Sequence, residues 1–187
     1  MKLLPLQFFV VVNFLLITTS SQADLNVGQV YALSFVDVDG NKCSTSDGHM
    51  TVVVLTTSTT LDKARAVGDR IPDYCLGNPA FRMITIVNFQ KKRFATTRAI
   101  LRGLIRRRLD SEAERLRNRY AALKINREAR RDVFAVPDFD GSIVTQLGTR
   151  FESGDFRVFI FGRNGTLAKT WDDVPSAQEM RGVLKGD

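Results

Sequence analysis

Residues 51–63 read TVVVLTTSTTLDK. Val52, Val53, Val54 and Leu55 form an unbroken apolar run of strand length, the pattern of a central strand covered on both faces. Thr59-x-x-Asp62 follows as a helix N-cap with an acid at the third helical position. The helix it opens is expected to reach about Arg70 and stop before Pro72. A buried strand therefore runs straight into a helix mouth rich in hydroxyls.

Working outward, residues 30–38 (VYALSFVDV) are β-branched and aromatic, and Asp39-Gly40-Asn41 is a turn signal, so a hairpin returning through Lys42-Cys43-Ser44 is expected. Residues 81–88 (FRMITIVN) form the next strand. Residues 94–130 carry the longest helical pattern, with Leu101, Ile105 and Leu109 continued by Ala113, Leu116, Tyr120 and Leu123. A second capping pattern over Ser111-Glu112-Ala113-Glu114 predicts a break near Asp110, with one unbroken helix as the alternative. Residues 133–136 read as a short strand, 138–141 as a turn and 143–147 as a brief helical piece. Residues 156–161 (FRVFIF) read as a strand, Arg163-Asn164-Gly165 as a tight turn and 166–171 as the returning strand. A helix over 177–184 closes the chain, with Ser176 as N-cap and Glu179 as its capping-box partner. The order predicts an α/β fold: a mixed central sheet with helices on both faces.

Residues 1–23 have the form of an export signal. Lys2 is their only charge, residues 3–17 are an apolar stretch interrupted only by Pro5, Gln7 and Asn13, and Ser21-x-Ala23 fits a peptidase site that leaves Asp24 first. The chain is then expected in the periplasm or outside the cell, with residues 24–187 as one domain. Cys43 and Cys75 are the only cysteines. Export permits a bridge between them, which would close a loop of about 30 residues and stabilise by on the order of 3–4 kcal/mol. Two buried, inert thiols are the other reading. Their spacing matches no zinc signature, and the acids around Asp37-x-Asp39 and Asp138-x-Asp140 match no calcium loop, so neither a metal nor a cofactor is expected.

The net charge of +7 is concentrated. Residues 91–131 hold 15 of the 27 Lys and Arg but only Asp110, Glu112, Glu114 and Glu128 as acids. The cations Arg102, Arg106, Arg107 and Arg108 are the candidates for an acidic surface, including peripheral contact with anionic lipid. A solvated outer helix face is the plainer reading, and nucleic acid is not an expected partner of an exported chain. Thr57, Ser58, Thr59 and Thr60 are the candidates for a ligand or peptide site, since helix-mouth N–H groups favour an anion. A loop with its cap is the alternative there. His49 is the only histidine, and it precedes the strand at the end away from these threonines.

Three stretches carry a family resemblance: residues 27–41, with Val27-Gly28-Gln29 and Phe35-Val36-Asp37-Val38-Asp39-Gly40-Asn41; residues 51–55; and residues 156–184. Together they resemble the thioredoxin-like superfamily, in its exported branch related to alkyl-hydroperoxide-reductase and thiol-specific-antioxidant proteins. That resemblance implies reactive cysteines at the mouth of the first helix, where a thiolate is favoured. It places the attacking position near Thr60 and the resolving one near Lys63, and neither is a thiol. It also implies a cis-proline before residues 156–161, where this chain has Gly154-Asp155; Pro137 lies too early. The nearest likeness is to periplasmic thioredoxin-like proteins without active-site cysteines. The resemblance thus implies no catalytic residue, and a non-redox binding or envelope-associated module. An oxidoreductase using Cys43 and Cys75 from unusual positions is the rival expectation.

Overall fold

The computed structural model describes residues 24–89, 95–149 and 151–185. The export signal expected over residues 1–23 and the basic residues Lys91, Lys92 and Arg93 lie outside the described residues. Among the described residues, no helix is long and apolar enough to cross a membrane.

Strands β1 (Ser34–Val36) and β2 (Lys42–Ser44) form an antiparallel hairpin. Its turn closes on Asp37, whose carboxylate accepts the backbone N–H groups of Asp39 and Asn41 at 2.9 and 2.7 Å. The first strand is shorter than expected. Val30 instead makes an isolated bridge to Thr166.

Strand β3 (Met50–Thr57) has all eight residues buried, as its apolar run requires. Helix α1 (Leu61–Asp69) leads from it to β4 (Phe81–Asn88). Helix α2 (Ala95–Ala122) is followed by a 3-10 turn at Ala129–Asp132 and by β5 (Phe134–Asp138). Helix α3 (Ser142–Gln146), strands β6 (Arg157–Phe161) and β7 (Leu167–Trp171) and helix α4 (Ala177–Leu184) complete the order. The sheet runs β5-β4-β3-β6-β7, with β3, β4 and β5 mutually parallel and β6 antiparallel to both β3 and β7.

Strand periodicity divides the core. Val52 and Val54 project into one layer with Ala64 and Val67 of α1 and Met180 and Leu184 of α4. Val53 and Leu55 project into the other, with Phe35 of the hairpin, Ile143 of α3 and Leu147 just after it. Each fully buried Val or Leu contributes about 1.5–3 kcal/mol.

Two expectations about the long helix need correction. It does not break at Asp110 but runs through all 28 residues to Ala122. Leu109 and Ala113 are both buried, so the apolar stripe continues across the expected joint. Glu114 pairs with Arg117 one turn on instead of turning back to Ser111. The helix also ends before Arg130. Lys124 takes a left-handed φ of 56°, and the Ile125 N–H caps the Tyr120 carbonyl at 2.9 Å. At α4 the expected box forms in full, Glu179 N–H to Ser176 Oγ at 3.2 Å and Ser176 N–H to Glu179 Oε2 at 2.7 Å.

Candidate functional site at the mouth of the first helix

The strand-to-helix mouth is closed by threonine hydroxyls. Thr60, not Thr59, occupies the N-cap position of α1, and its side chain makes no cap hydrogen bond. Its Oγ1 instead accepts the Thr57 N–H at 3.1 Å and lies 2.8 Å from Thr56 Oγ1 and 3.2 Å from Thr57 Oγ1. It also donates to the Asp155 carbonyl at 3.2 Å, tying the mouth to the turn before β6. Thr59 bonds to Thr57 between hydroxyls at 2.8 Å. Thr56 and Thr57 are buried, whereas Ser58 and Thr59 are exposed. The expected Thr59–Asp62 cap is absent because Asp62 faces outward, 3.8 Å from Arg65 and 3.6 Å from Arg108. Its charge already sits in the first turn, where an incoming anion would meet it.

Lys63 is engaged as well. Its Nζ lies 2.9 Å from Asp173 Oδ1 and 5.7 Å from the centroid of the Phe156 ring. Gly154, at φ +91°, and Asp155 form the facing turn, in which the Glu152 N–H donates to Asp155 Oδ2 at 2.6 Å.

The cysteines are not bridged. Cys43 and Cys75 are both free and buried. Cys43 packs in the layer of Val53 and Leu55, Cys75 in that of Val52 and Val54, so the sheet stands between them. Burial pushes the Cys75 thiol from 9.0 to about 11 and raises Cys43 as well. At the opposite end of β3, His49 Nδ1 lies 2.8 Å from Asp47 Oδ1. Asp47 also receives the buried Arg82 guanidinium at 3.0 and 2.8 Å. Burial opposes its ionisation, but the hydrogen bonds from Arg82 and His49 outweigh that and hold its carboxyl at about 2. No group of side chains suited to a metal ion occurs among the described residues.

The candidate arginines separate into distinct environments. Arg106 lies on the surface and reaches the hairpin turn, donating to Asp39 Oδ1 at 3.0 Å and to the Val38 carbonyl at 2.7 Å. The Arg102 guanidinium lies 5.6 Å from the centroid of the Phe139 ring. Arg108 reaches Asp62, and Arg107 is exposed with no ionic partner among the described residues. Farther along, α2 is pinned to α1 by Arg65–Glu112 at 2.6 Å and Arg115–Asp69 at 3.3 Å. Arg119 adds bonds to Asp73 and to the Gly68 and Ile71 carbonyls.

Beneath α2 lies a feature absent from the sequence reading: a cavity of about 870 Å³ between α1, α2 and the face of β4. Phe81, Met83, Thr85 and Val87 form its floor. Alternation in β4 was its only sequence signal, and Ile84 and Ile86 on the opposite face masked it.

No protein-family model and no curated protein sequence matches this chain. Solved structures do match. One is the exposed lipoprotein thioredoxin of Streptococcus pneumoniae, at 14% identity and a TM-score of 0.51, covering 83% of this chain and 98% of that one. Another is a putative thioredoxin from Neisseria meningitidis, at 14% identity and a TM-score of 0.50, covering 87% and 93%. The fold is thioredoxin-like. At such identity the likeness concerns architecture alone. In this thioredoxin-like fold the end of β3 and the start of α1 carry Thr57, Thr60 and Lys63, and both thiols lie elsewhere in buried layers.

Proposed function

We propose that this chain is an exported thioredoxin-fold protein that binds a partner instead of exchanging disulfides. One observation carries the reading: the chain's two thiols are buried in separate layers, while the α1 mouth holds a tethered Thr60 and a paired Lys63. Thiol–disulfide exchange needs an accessible thiolate within reach of the incoming sulfur. Burial disfavours thiolate at Cys43 and Cys75 alike. Export is supported by the form of residues 1–23 and by the likeness in fold to a pneumococcal exposed lipoprotein.

The test compares the mature chain from Asp24 with a Cys43→Ser/Cys75→Ser variant in insulin-reduction and peroxide-consumption assays. Neither protein is expected to turn over above the uncatalysed background. Turnover that disappears with the two thiols would overturn the reading. N-terminal sequencing of the periplasmic fraction is expected to begin at Asp24, and an intact Met1 would refute cleavage.

A further inference from the structure

The cavity beneath α2 is a long groove. Its floor follows β4 from Phe81 to Phe89, roughly 26 Å at about 3.3 Å per residue. Its roof follows α2 from Leu101 to Tyr120, roughly 28 Å at about 1.5 Å per residue. Spread along that length, 870 Å³ corresponds to a channel roughly 6–7 Å across, the width of one chain. The volume falls within the range of about 300–1,000 Å³ typical of small-molecule sites.

Central strands of an α/β sheet are normally covered on both faces. Here Phe81, Met83 and Thr85 remain half-buried, and Leu104 on the roof is 53% exposed. The roof is held at its edges, by ion pairs to α1 on one side and by Ile105 and Leu109 packing on Val133 and Ala135 on the other.

The lining indicates the occupant. The walls are mostly apolar side chains above a central strand, whose backbone groups are used by β3 and β5. A peptide lying there would bury N–H and C=O groups without partners. An aliphatic chain has none to satisfy. Toward the Phe81 end, the Tyr120 hydroxyl is taken up by Asp132 at 2.7 Å and by the Gly77 N–H at 3.0 Å. The rim cations Arg65, Arg115 and Arg119 are matched by Glu112, Asp69 and Asp73.

The end beside Ser58 and Leu61 differs. Among the described residues, the one ionic partner of Arg108 is Asp62, 3.6 Å away and 90% exposed, whereas Arg107, its neighbour in sequence, does not line the groove. A carboxylate head at this mouth would take the place of Asp62 on Arg108, leaving Asp62 to Arg65, 3.8 Å away.

We propose that the groove binds one long aliphatic chain ending in a carboxylate, with the head at Arg108 and the tail running along β4 toward Tyr120. This rests on the reading of the protein as a binding module and assigns that module its ligand class.

The probe is palmitate, titrated calorimetrically into the mature protein, with octanoate and hexadecanol alongside. Saturable one-to-one binding of palmitate is expected, with octanoate at least about tenfold weaker because it buries fewer methylenes. Thr85→Phe fills the middle of the floor, and Leu104→Trp fills the groove from its exposed side. Each is expected to weaken palmitate at least about tenfold while the melting temperature and far-UV spectrum hold. If Thr85→Phe unfolds the protein, Leu104→Trp decides alone. Arg108→Gln is expected to weaken palmitate about three- to fivefold and leave hexadecanol unchanged. The proposal is overturned if palmitate shows no saturable binding, or if both filled variants bind it as the parent does. It is likewise overturned if binding ignores them but falls with Arg107→Gln, which marks adsorption to the outer face. An inert protein that does not bind palmitate removes the groove proposal alone, whereas thiol-dependent turnover removes the non-redox reading and leaves the palmitate result standing.

Discussion

Adding a chromogenic disulfide reagent to the native mature protein at about pH 8 asks whether either sulfur can do chemistry. Burial holds the Cys75 thiol at about 11 instead of 9.0, roughly two pH units. At that pH the native thiolate population is then about one-hundredth of an ordinary cysteine's. Access imposes a separate limit, since Cys43 and Cys75 are each 4% exposed. The two limits do not multiply, because a thiol released by unfolding regains its ordinary acidity and the faster route sets the rate. For a domain stable by about 5 kcal/mol or more, the open fraction is below about one in a thousand. For Cys75 both routes therefore predict native labelling at least about a hundredfold slower than in concentrated guanidinium, where two thiols should react promptly; Cys43, its acidity also lowered by burial, should be slowed in the same direction. The measurement is the release of the reagent's chromophore over time, repeated on the Cys43→Ser and Cys75→Ser variants. One thiol reacting in the native protein at the denatured rate would refute the reasoning, and the two variants would say which.

Asp47→Asn should destabilise by about 2 kcal/mol at neutral pH, because it leaves the buried Arg82 charge without its carboxylate and Asp47 itself is only partly screened from water. The Asp47 carboxyl is depressed in the folded state, so its contribution is present above about 3.8 and is lost as pH falls toward about 2; the melting temperatures of parent and variant should converge across that window. Gly165→Ala should cost about 2–3 kcal/mol, since a Cβ there would sit 2.6 Å from the Tyr31 carbonyl at a φ of +87°, whereas Gly40→Ala, with open space around it, should pay only the conformational part, about 1 kcal/mol. Thr60→Val should cost about 1–2 kcal/mol by stranding the Thr57 N–H, and Thr60→Ser, which keeps the hydroxyl, should be near neutral in the same thermal melts.

Where local chemistry decides an element, the sequence showed it. Four consecutive apolar residues at 52–55 could only be buried on both sides, and Ser176 with Glu179 formed the box their spacing describes. Where distant partners decide, it did not. The Ser111 pattern looked like a cap, but buried Leu109 and Ala113 carry the helix through, and Glu114 finds Arg117 instead. Two cysteines in an exported chain invited a bridge. Which face of the sheet each would occupy depends on packing that a count cannot reveal. The basic helix was plain, yet its acids come from elsewhere: Asp39 from the hairpin, Asp69 from α1 and Asp73 from the turn after it. The groove was hidden because Ile84 and Ile86 interrupt the alternation of β4 with an apolar stretch, while α2 covers the face of Phe81, Met83, Thr85 and Val87 only incompletely.

The mouth and the groove bear on each other through hydrogen-bond capacity. A threonine hydroxyl has one proton and two lone pairs. At Thr60 one lone pair is occupied by the Thr57 N–H, and the proton and the other lone pair face Thr56, Thr57 and the Asp155 carbonyl. No basic side chain contacts it among the described residues; His49 lies beyond the other end of β3, held to Asp47. An oxygen so engaged is a structural tie, because a nucleophile needs a base positioned to take its proton. Lys63, paired with Asp173, is likewise occupied. On the proposed binding reading, the closed mouth leaves recognition to the next concave surface, which begins at Ser58 and Leu61, residues of the same mouth, and runs under α2. Tying down the strand-to-helix turn keeps that end of the groove fixed in place.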